Sequence, residues 1–143
     1  MEVGSQAGQD AWQGMSDAFN SECPAREVLE HITSRWGMLI LAALGEGPRR
    51  FSELPATIGG ISEKMLSQTL RTLVRDGLVA RTVEPTTPPR VSYELTSLGR
   101  GLTTSLEQFL GWIRQHTIDV VTAQRRHDSS RPIRVPDTSW QQS

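Results

Sequence analysis

The stretch that decides the fold is Phe51–Asp76, with the sequence FSELPATIGGISEKMLSQTLRTLVRD. Its first part has apolar residues at positions 51, 54 and 58, which is the spacing of one face of a short helix. Gly59-Gly60 interrupts that helix, because glycine adopts positive φ without steric cost. Ser62 is a favourable N-cap for a second helix, since its hydroxyl can accept from backbone N–H groups of the first turn. The stretch therefore predicts two helices joined by a tight turn.

The second of these helices has two different faces. Its apolar face is predicted to carry Leu66, Leu70, Leu73 and Val74, and its outer face Lys64, Ser67, Gln68, Arg71 and Arg75. The outer face offers hydrogen-bond donors and positive charge, as a reader of the major groove of DNA requires. A helical hairpin with a solvated polar face is the alternative, and this stretch alone does not separate the two.

A β-hairpin is predicted directly after the second helix. Asp76-Gly77 ends the helix, and residues 78–84 and 91–95 then follow the alternating pattern of strands. The loop between them contains three prolines and ends in Arg90, which we expect near the DNA backbone or the minor groove. A helix–turn–helix followed by such a hairpin is a winged helix. The predicted fold class is therefore mainly α with a small β-hairpin.

Further helices are predicted on both sides of this unit. Cys23-Pro24 begins a helix that reaches residue 33, because proline suits the first helical position. Residues 36–44 are almost all apolar, which is typical of a helix in the core. Residues 97–124 form a long helix with more apolar surface than a small domain can cover, which predicts a homodimer. A break near His116-Thr117 that folds this helix back is the alternative.

The chain is accordingly divided into three parts. Residues 1–21 form an N-terminal extension, in which apolar residues at positions 12, 15 and 19 predict a short amphipathic helix. Residues 22–124 form the winged-helix domain, with dimerisation helices at its N- and C-terminal ends, the latter being 97–124. Residues 125–143 are polar, contain two prolines and are expected to be a flexible tail.

Charge and composition narrow the class of function. The 143-residue chain has a net charge of −1, but residues 1–30 carry −5, residues 31–100 carry +3 and residues 101–143 carry +1. The basic middle contains the helical pair, which favours an anionic partner. One cysteine, no signal peptide and no apolar run of membrane length predict a cytoplasmic protein. Motifs for a nucleophile, a phosphate loop or clustered metal ligands are lacking, so we expect neither an enzyme nor a cofactor.

Several short blocks of sequence occur in the order and spacing of a known family. They are Cys23-Pro24, Arg35-Trp36, residues 38–44, 47–54, 60–68, 76–79 and 88–96, and Gly99-Arg100. In these blocks, which span about residues 22–115, the chain resembles the HxlR-type regulators, a MarR-like group of bacterial winged-helix transcription factors. The resemblance implies a dimeric DNA-binding protein, commonly a repressor that responds to small molecules or reactive electrophiles. Thr69 departs from the family pattern, which often has a basic residue there.

Double-stranded DNA is the predicted partner, and eight side chains are the predicted contacts. Gln can pair with adenine and Arg with guanine through two hydrogen bonds, so contacts with base edges are predicted for Lys64, Gln68 and Arg71. Contacts with phosphate or with DNA shape are predicted for Arg49, Arg50, Ser62, Ser67 and Arg90. A winged helix that binds another protein, without DNA, is the competing class.

Cys23 is the candidate for redox sensing. Its thiol is predicted at a helix N-terminus, where the positive end of the helix dipole favours the thiolate. The resemblance adds that some relatives use the matching cysteine in this way. The neighbouring Glu22 opposes thiolate formation, and the sequence favours the other interpretation, a capping or core residue without redox chemistry.

Overall fold

The computed structural model describes residues 16–130. Its helices are α1 (Pro24–Thr33), α2 (Arg35–Gly45), α3 (Leu54–Thr57), α4 (Glu63–Arg75), α5 (Ser97–Arg100) and α6 (Thr103–Ser130), and its strands are β1 (Arg49–Arg50), β2 (Val79–Glu84) and β3 (Arg90–Leu95). One turn of 3-10 helix, Phe51–Glu53, precedes α3. The structure thus confirms the predicted class, a mainly helical fold with a small antiparallel sheet.

The sheet has three strands in the order β1-β3-β2. Strands β2 and β3 form the predicted hairpin, with a register that runs from Val79 opposite Leu95 to Glu84 opposite Arg90. The short segment β1 adds a third strand, because Arg49 pairs with Tyr93 and Arg50 with Ser92. The partner of this segment lies more than forty residues away in the chain, so spacing along the sequence does not reveal the pairing.

The core lies where the apolar face of α4 meets α2. Leu66, Leu70 and Leu73 of α4 are almost completely buried, as are Ile40 and Leu41 of α2. Burying one such side chain contributes about 1.5–3 kcal/mol in transfer free energy. This contact turns the opposite face of α4 toward solvent.

The two ends of α4 have the capping residues that the sequence predicted. The Ser62 hydroxyl accepts from the backbone N–H of Met65 at 3.1 Å, so Ser62 is the N-cap. Asp76 is the C-cap, and Gly77 follows with φ +77°, a conformation that glycine adopts readily. The second helix of the helix–turn–helix therefore begins and ends as predicted.

The helix predicted from residue 97 to about 124 differs from the observed structure at both ends. It is interrupted after α5, because Gly101 N–H bonds to Leu98 and Leu102 N–H bonds to Gly99, both three residues back. Glycine at 99 and 101 weakens helix propagation at this point. The helix α6 then continues without a break past His116-Thr117 and ends at Ser130. The alternative of a helix that folds back is therefore wrong, and the first six residues of the predicted tail are helical.

The chain divides after Leu106 into two compact units, and the second contains residues 107–130 of α6. None of the helices between residues 16 and 130 combines the length and apolar character needed to span a bilayer. Phe19, expected in a short amphipathic helix, lies in a series of turns and is exposed. The rest of that predicted helix, and the tail beyond residue 130, lie outside the described residues.

We predict that Gly99→Ala destabilises the fold and that Gly111→Ala does not. A Cβ at position 99 overlaps with the backbone carbonyl of Leu78, which is itself held by a hydrogen bond from Thr96 N–H. The expected loss in free energy of unfolding is about 2 kcal/mol or more. At position 111 the nearest atom is a flexible Arg114 nitrogen at 3.8 Å, so alanine is expected to stabilise the helix by about 1 kcal/mol. Urea titration of both variants measures these changes, and equal stability would contradict the packing described here.

Candidate nucleic-acid interface

The exposed face of α4 is a narrow line of polar and basic side chains. Lys64, Gln68, Arg71 and Arg75 are all exposed and are spaced by four, three and four residues. At about 100° per residue these four positions fall within about 60° of one another. The buried leucines lie on the opposite side, so burial of that side presents the four polar side chains together. We call these four residues the reading face.

A groove separates the reading face from the hairpin, which forms the wing. It has a volume of about 530 Å³ and is lined by three arginines, one from each strand: Arg50, Arg81 and Arg90. Ser67 of α4 lies on its opposite wall, and Glu63 is the acidic residue among its lining residues. The groove is therefore mainly cationic, and it is continuous with the side of α4 that carries Ser67.

Three of the eight predicted contact residues are bonded locally or partly buried. Arg49 donates to Glu46 at 3.2 Å and to the Pro48 carbonyl at 3.3 Å, so its guanidinium is engaged locally. The Ser62 hydroxyl already accepts a hydrogen bond as the N-cap. Ser67 is partly buried and faces the groove instead of lying on the reading face. The other five, Arg50, Lys64, Gln68, Arg71 and Arg90, are exposed on the reading face or in the groove.

Arg81 is a candidate contact that sequence reasoning missed. In the register of the hairpin it stands opposite Tyr93, and the neighbouring pair on the same face is the buried Val79 and Leu95. Alternation in the strand therefore places Arg81 on the face that turns toward α4. Arg81 is exposed there, beyond the buried end of the strand. The available signal was a positive charge two residues after Val79 on the same face, and pairing the two predicted strands would have shown it.

The C-terminal end of α4 is attached to α1 by a hydrogen-bonded pair. His31 Nδ1 lies 2.7 Å from an Asp76 carboxylate oxygen, and the Asp76 side chain is only 12% exposed. Glu27, one turn earlier in α1, lies 3.7 Å from both His31 and Arg75. These contacts fix the end of the reading face relative to α1. Sequence spacing could not reveal them, since 45 residues separate His31 from Asp76.

Cys23 lies at the start of α1, as predicted. Its sulfur accepts from the backbone N–H of Ala25 at 3.4 Å, and its side chain is 5% exposed. The turn that precedes it is held by Arg26, which donates to the carbonyls of Ala18 and Phe19 at 2.6 and 3.0 Å. Cys23 thus has a capping role in the structure, and redox sensing remains an additional hypothesis.

The arrangement suits one kind of ligand. A helix with exposed donors can enter the major groove, while cationic side chains on a flanking hairpin reach the phosphates of the same duplex. The helix–turn–helix, the wing and their charges together define a winged-helix DNA-binding protein.

Comparison with known proteins agrees with this assignment. Residues 31–120 match the HxlR-like helix-turn-helix family, and the chain belongs to that family. The members of this family that the chain matches are transcriptional regulators and not enzymes. The chain is 48% identical over 103 residues to the HTH-type transcriptional regulator YtfH of Escherichia coli (strain K12), which is described as uncharacterized. The match covers 72% of this chain and 82% of that protein.

Two solved structures show the same similarity in three dimensions. The transcriptional regulator ytfH from Salmonella typhimurium is 46% identical, with a TM-score of 0.72, and the match covers 77% of this chain and 97% of that chain. The redox regulator HypR in its oxidized form is 33% identical, with a TM-score of 0.61, and the match covers 65% of this chain and 96% of that chain. The chain is therefore a transcriptional regulator of the helix-turn-helix type.

Proposed function

We propose that the protein is a homodimeric repressor that binds a specific operator and is released by a signal, either a small molecule or thiol oxidation. The observation that carries the proposal is the position of the reading face beside the cationic groove of the wing. Two copies would place their reading faces in successive major grooves, about 34–36 Å apart. A duplex target in a bacterium lies in the cytoplasm, where we place the protein.

Within each copy, the side chains divide by the chemistry they offer to DNA. Lys64 and Gln68 lie on the reading face, where they can meet base edges. Arg50 and Arg90 lie in the groove and offer charge to the flanking phosphates. Base contacts determine which sequence is bound, whereas phosphate contacts set affinity and its dependence on salt.

The apolar surface of α6 supports the homodimer. From Glu107 onward, Phe109, Trp112, Ile113 and Val120 are all exposed, and their spacing places them on one side of the helix. Trp112 is stacked on His116, with ring centroids 4.6 Å apart, which extends the same side. A stripe of this size with two aromatic side chains is typical of a surface that a partner covers. We propose that the partner is a second copy of the chain.

DNA binding is tested with Gln68→Ala and Arg50→Ala against the upstream region of the protein's own gene. Gln68→Ala is expected to lower the preference for the operator over unrelated DNA by about 10- to 100-fold, because it removes a base contact. Arg50→Ala is expected to weaken binding to all duplexes and to lower the slope of log K against log salt by about 1.8, because the dimer loses one phosphate contact in each copy. Gel-shift titrations over a range of salt concentrations measure both effects.

The control for these two variants is Arg114→Ala, which removes an exposed arginine from α6. Wild-type protein that shows no salt-sensitive binding to any promoter DNA would contradict the proposal. Unchanged regulation in cells that carry Gln68→Ala and Arg50→Ala would favour the competing class, a winged helix that binds a protein.

Dimerisation is tested with a matched pair of substitutions in α6. Trp112→Glu places a charge in the apolar stripe, and we expect it to raise the dimer dissociation constant at least about tenfold. Ile118 is 79% exposed and lies about 180° from Phe109 around the helix, so Ile118→Glu is expected to leave the dimer intact. Sedimentation equilibrium compares the two, and a wild-type monomer at working concentration would contradict the proposal.

Thiol oxidation is tested with Cys23→Ser. Serine keeps an N-cap acceptor, so the fold is expected to be unchanged. If Cys23 is the sensor, a thiol oxidant should release wild-type protein from DNA and leave the variant bound, in the same gel-shift titration. An equal response of the two proteins would dismiss Cys23 and leave a small molecule as the proposed signal.

A further inference from the structure

A cavity between α4 and the sheet is lined by side chains from three elements, α4, β2 and β3. Its volume is about 280 Å³, and it is lined by Ser67, Arg71, Val74, Arg81 and Tyr93. Two guanidinium groups and two hydroxyl-bearing side chains therefore surround one small space, and no acidic residue is among those that line it. The volume is several times the roughly 30 Å³ that a water molecule occupies in the liquid, which leaves room for a tetrahedral oxyanion.

The two arginines of this cavity have no carboxylate partner in the described part of the chain. Between residues 16 and 130, the acidic side chains in ion pairs with arginine are Glu46, bound to Arg49, and Glu27, bound to Arg75. Arg71 and Arg81 thus bring like charges to one site without compensation. Such a site has a positive potential, and an anion placed between the two guanidinium groups lowers its energy.

The fold fixes the backbone positions from which these side chains extend. Arg81 is placed by the paired strands β2 and β3, whereas Arg71 is placed by α4, whose buried leucines fix its rotation. Tyr93 is 8% exposed, and its ring lies against Phe51 with the centroids 6.4 Å apart. The helix and the sheet therefore direct both arginine side chains toward one space.

The larger groove beside the wing adjoins this cavity, because Ser67, Arg81 and Tyr93 line both. A strand of DNA that passes along the groove, near Arg50 and Arg90, therefore reaches the cavity as well. Arginine is well suited to phosphate, which it binds through two parallel hydrogen bonds. This continuity favours the DNA backbone over a free anion as the source of the phosphate.

We propose that Ser67, Arg71, Arg81 and Tyr93 form a phosphate site that takes one phosphodiester group of the bound duplex. The proposal rests on the proposed DNA binding and assigns a contact residue, Arg81, that lies outside the reading face. It also assigns Arg71, which the sequence predicted to contact a base edge, to a phosphate of the DNA backbone. The site anchors the wing and α4 to the same phosphate, so it determines how deeply the reading face enters the major groove.

The first experiment compares Arg81→Gln with the wild-type dimer on operator DNA and on unrelated DNA. Each copy of the dimer loses one phosphate contact, so the slope of log K against log salt is expected to fall by about 1.8, about 0.9 for each contact. Because a phosphate carries no sequence information, binding to both duplexes should weaken by the same factor. Arg114→Gln removes an equal charge from α6 and should leave the slope unchanged. An unchanged slope in Arg81→Gln, with wild-type binding intact, would overturn the proposal.

The second experiment identifies the source of the phosphate. Operator duplexes that carry a single neutral methylphosphonate are bound by wild type and by Arg81→Gln. One position should weaken wild-type binding and have no further effect on the variant, because the two changes remove the same contact. If every methylphosphonate weakened the binding of Arg81→Gln by the same factor as that of wild type, the proposed contact with the duplex would be overturned. Inhibition of wild-type binding by inorganic phosphate, beyond chloride of equal ionic strength and absent in Arg81→Gln, would assign the site to a free anion and overturn it too.

A third variant separates a lost contact from a damaged fold. Arg81→Lys keeps the charge but lacks the planar fork, so it should keep most of the salt slope and weaken binding less than Arg81→Gln. Thermal unfolding of all variants should be the same as for wild type. If wild type binds no duplex, the proposed function itself fails, whereas a failure confined to the Arg81 variants disproves only this site.

Discussion

The contact between the buried leucines of α4 and the apolar helix α2 determines the rest of the structure. Leu66, Leu70 and Leu73 lie on one side of α4, so their burial fixes the rotation of the helix about its axis. A rotation of even one residue position, about 100°, would bury Lys64 or Arg71 and expose a leucine. The positions of the four side chains of the reading face are therefore set by an apolar contact on the opposite side of the same helix.

The parts of the structure that depend on neighbours in sequence could be predicted well. The period of the leucines, the Ser62 cap and the Gly77 terminus are local features, and each of them was recognised from residue type and spacing. The reading face follows from the same period, because positions opposite a buried stripe are exposed. The wing was predicted in the same way, from the alternating pattern of residues 78–84 and 91–95.

The parts that depend on distant residues were missed for a physical reason. The third strand, the inward side chain of Arg81 and the pair of His31 with Asp76 each need two segments to be placed in register first. The break between α5 and α6 arises where Gly99 packs closely on the Leu78 carbonyl, a contact that periodicity does not contain. The apolar pattern of the last helix was real, but its N-terminal boundary was set by this packing together with the low helix propensity of Gly99 and Gly101.

The pair of His31 with Asp76 has a consequence for any shortened version of the protein. A fragment that begins at Ser34 would still contain the helix–turn–helix and the wing, but it would lose His31, the partner of the Asp76 carboxylate at 2.7 Å. The last turn of α4, with Arg75, would then be free to fray. The smallest fragment that keeps the reading face rigid therefore starts upstream of α1, and α1 belongs to the DNA-binding unit despite having no buried residue of its own.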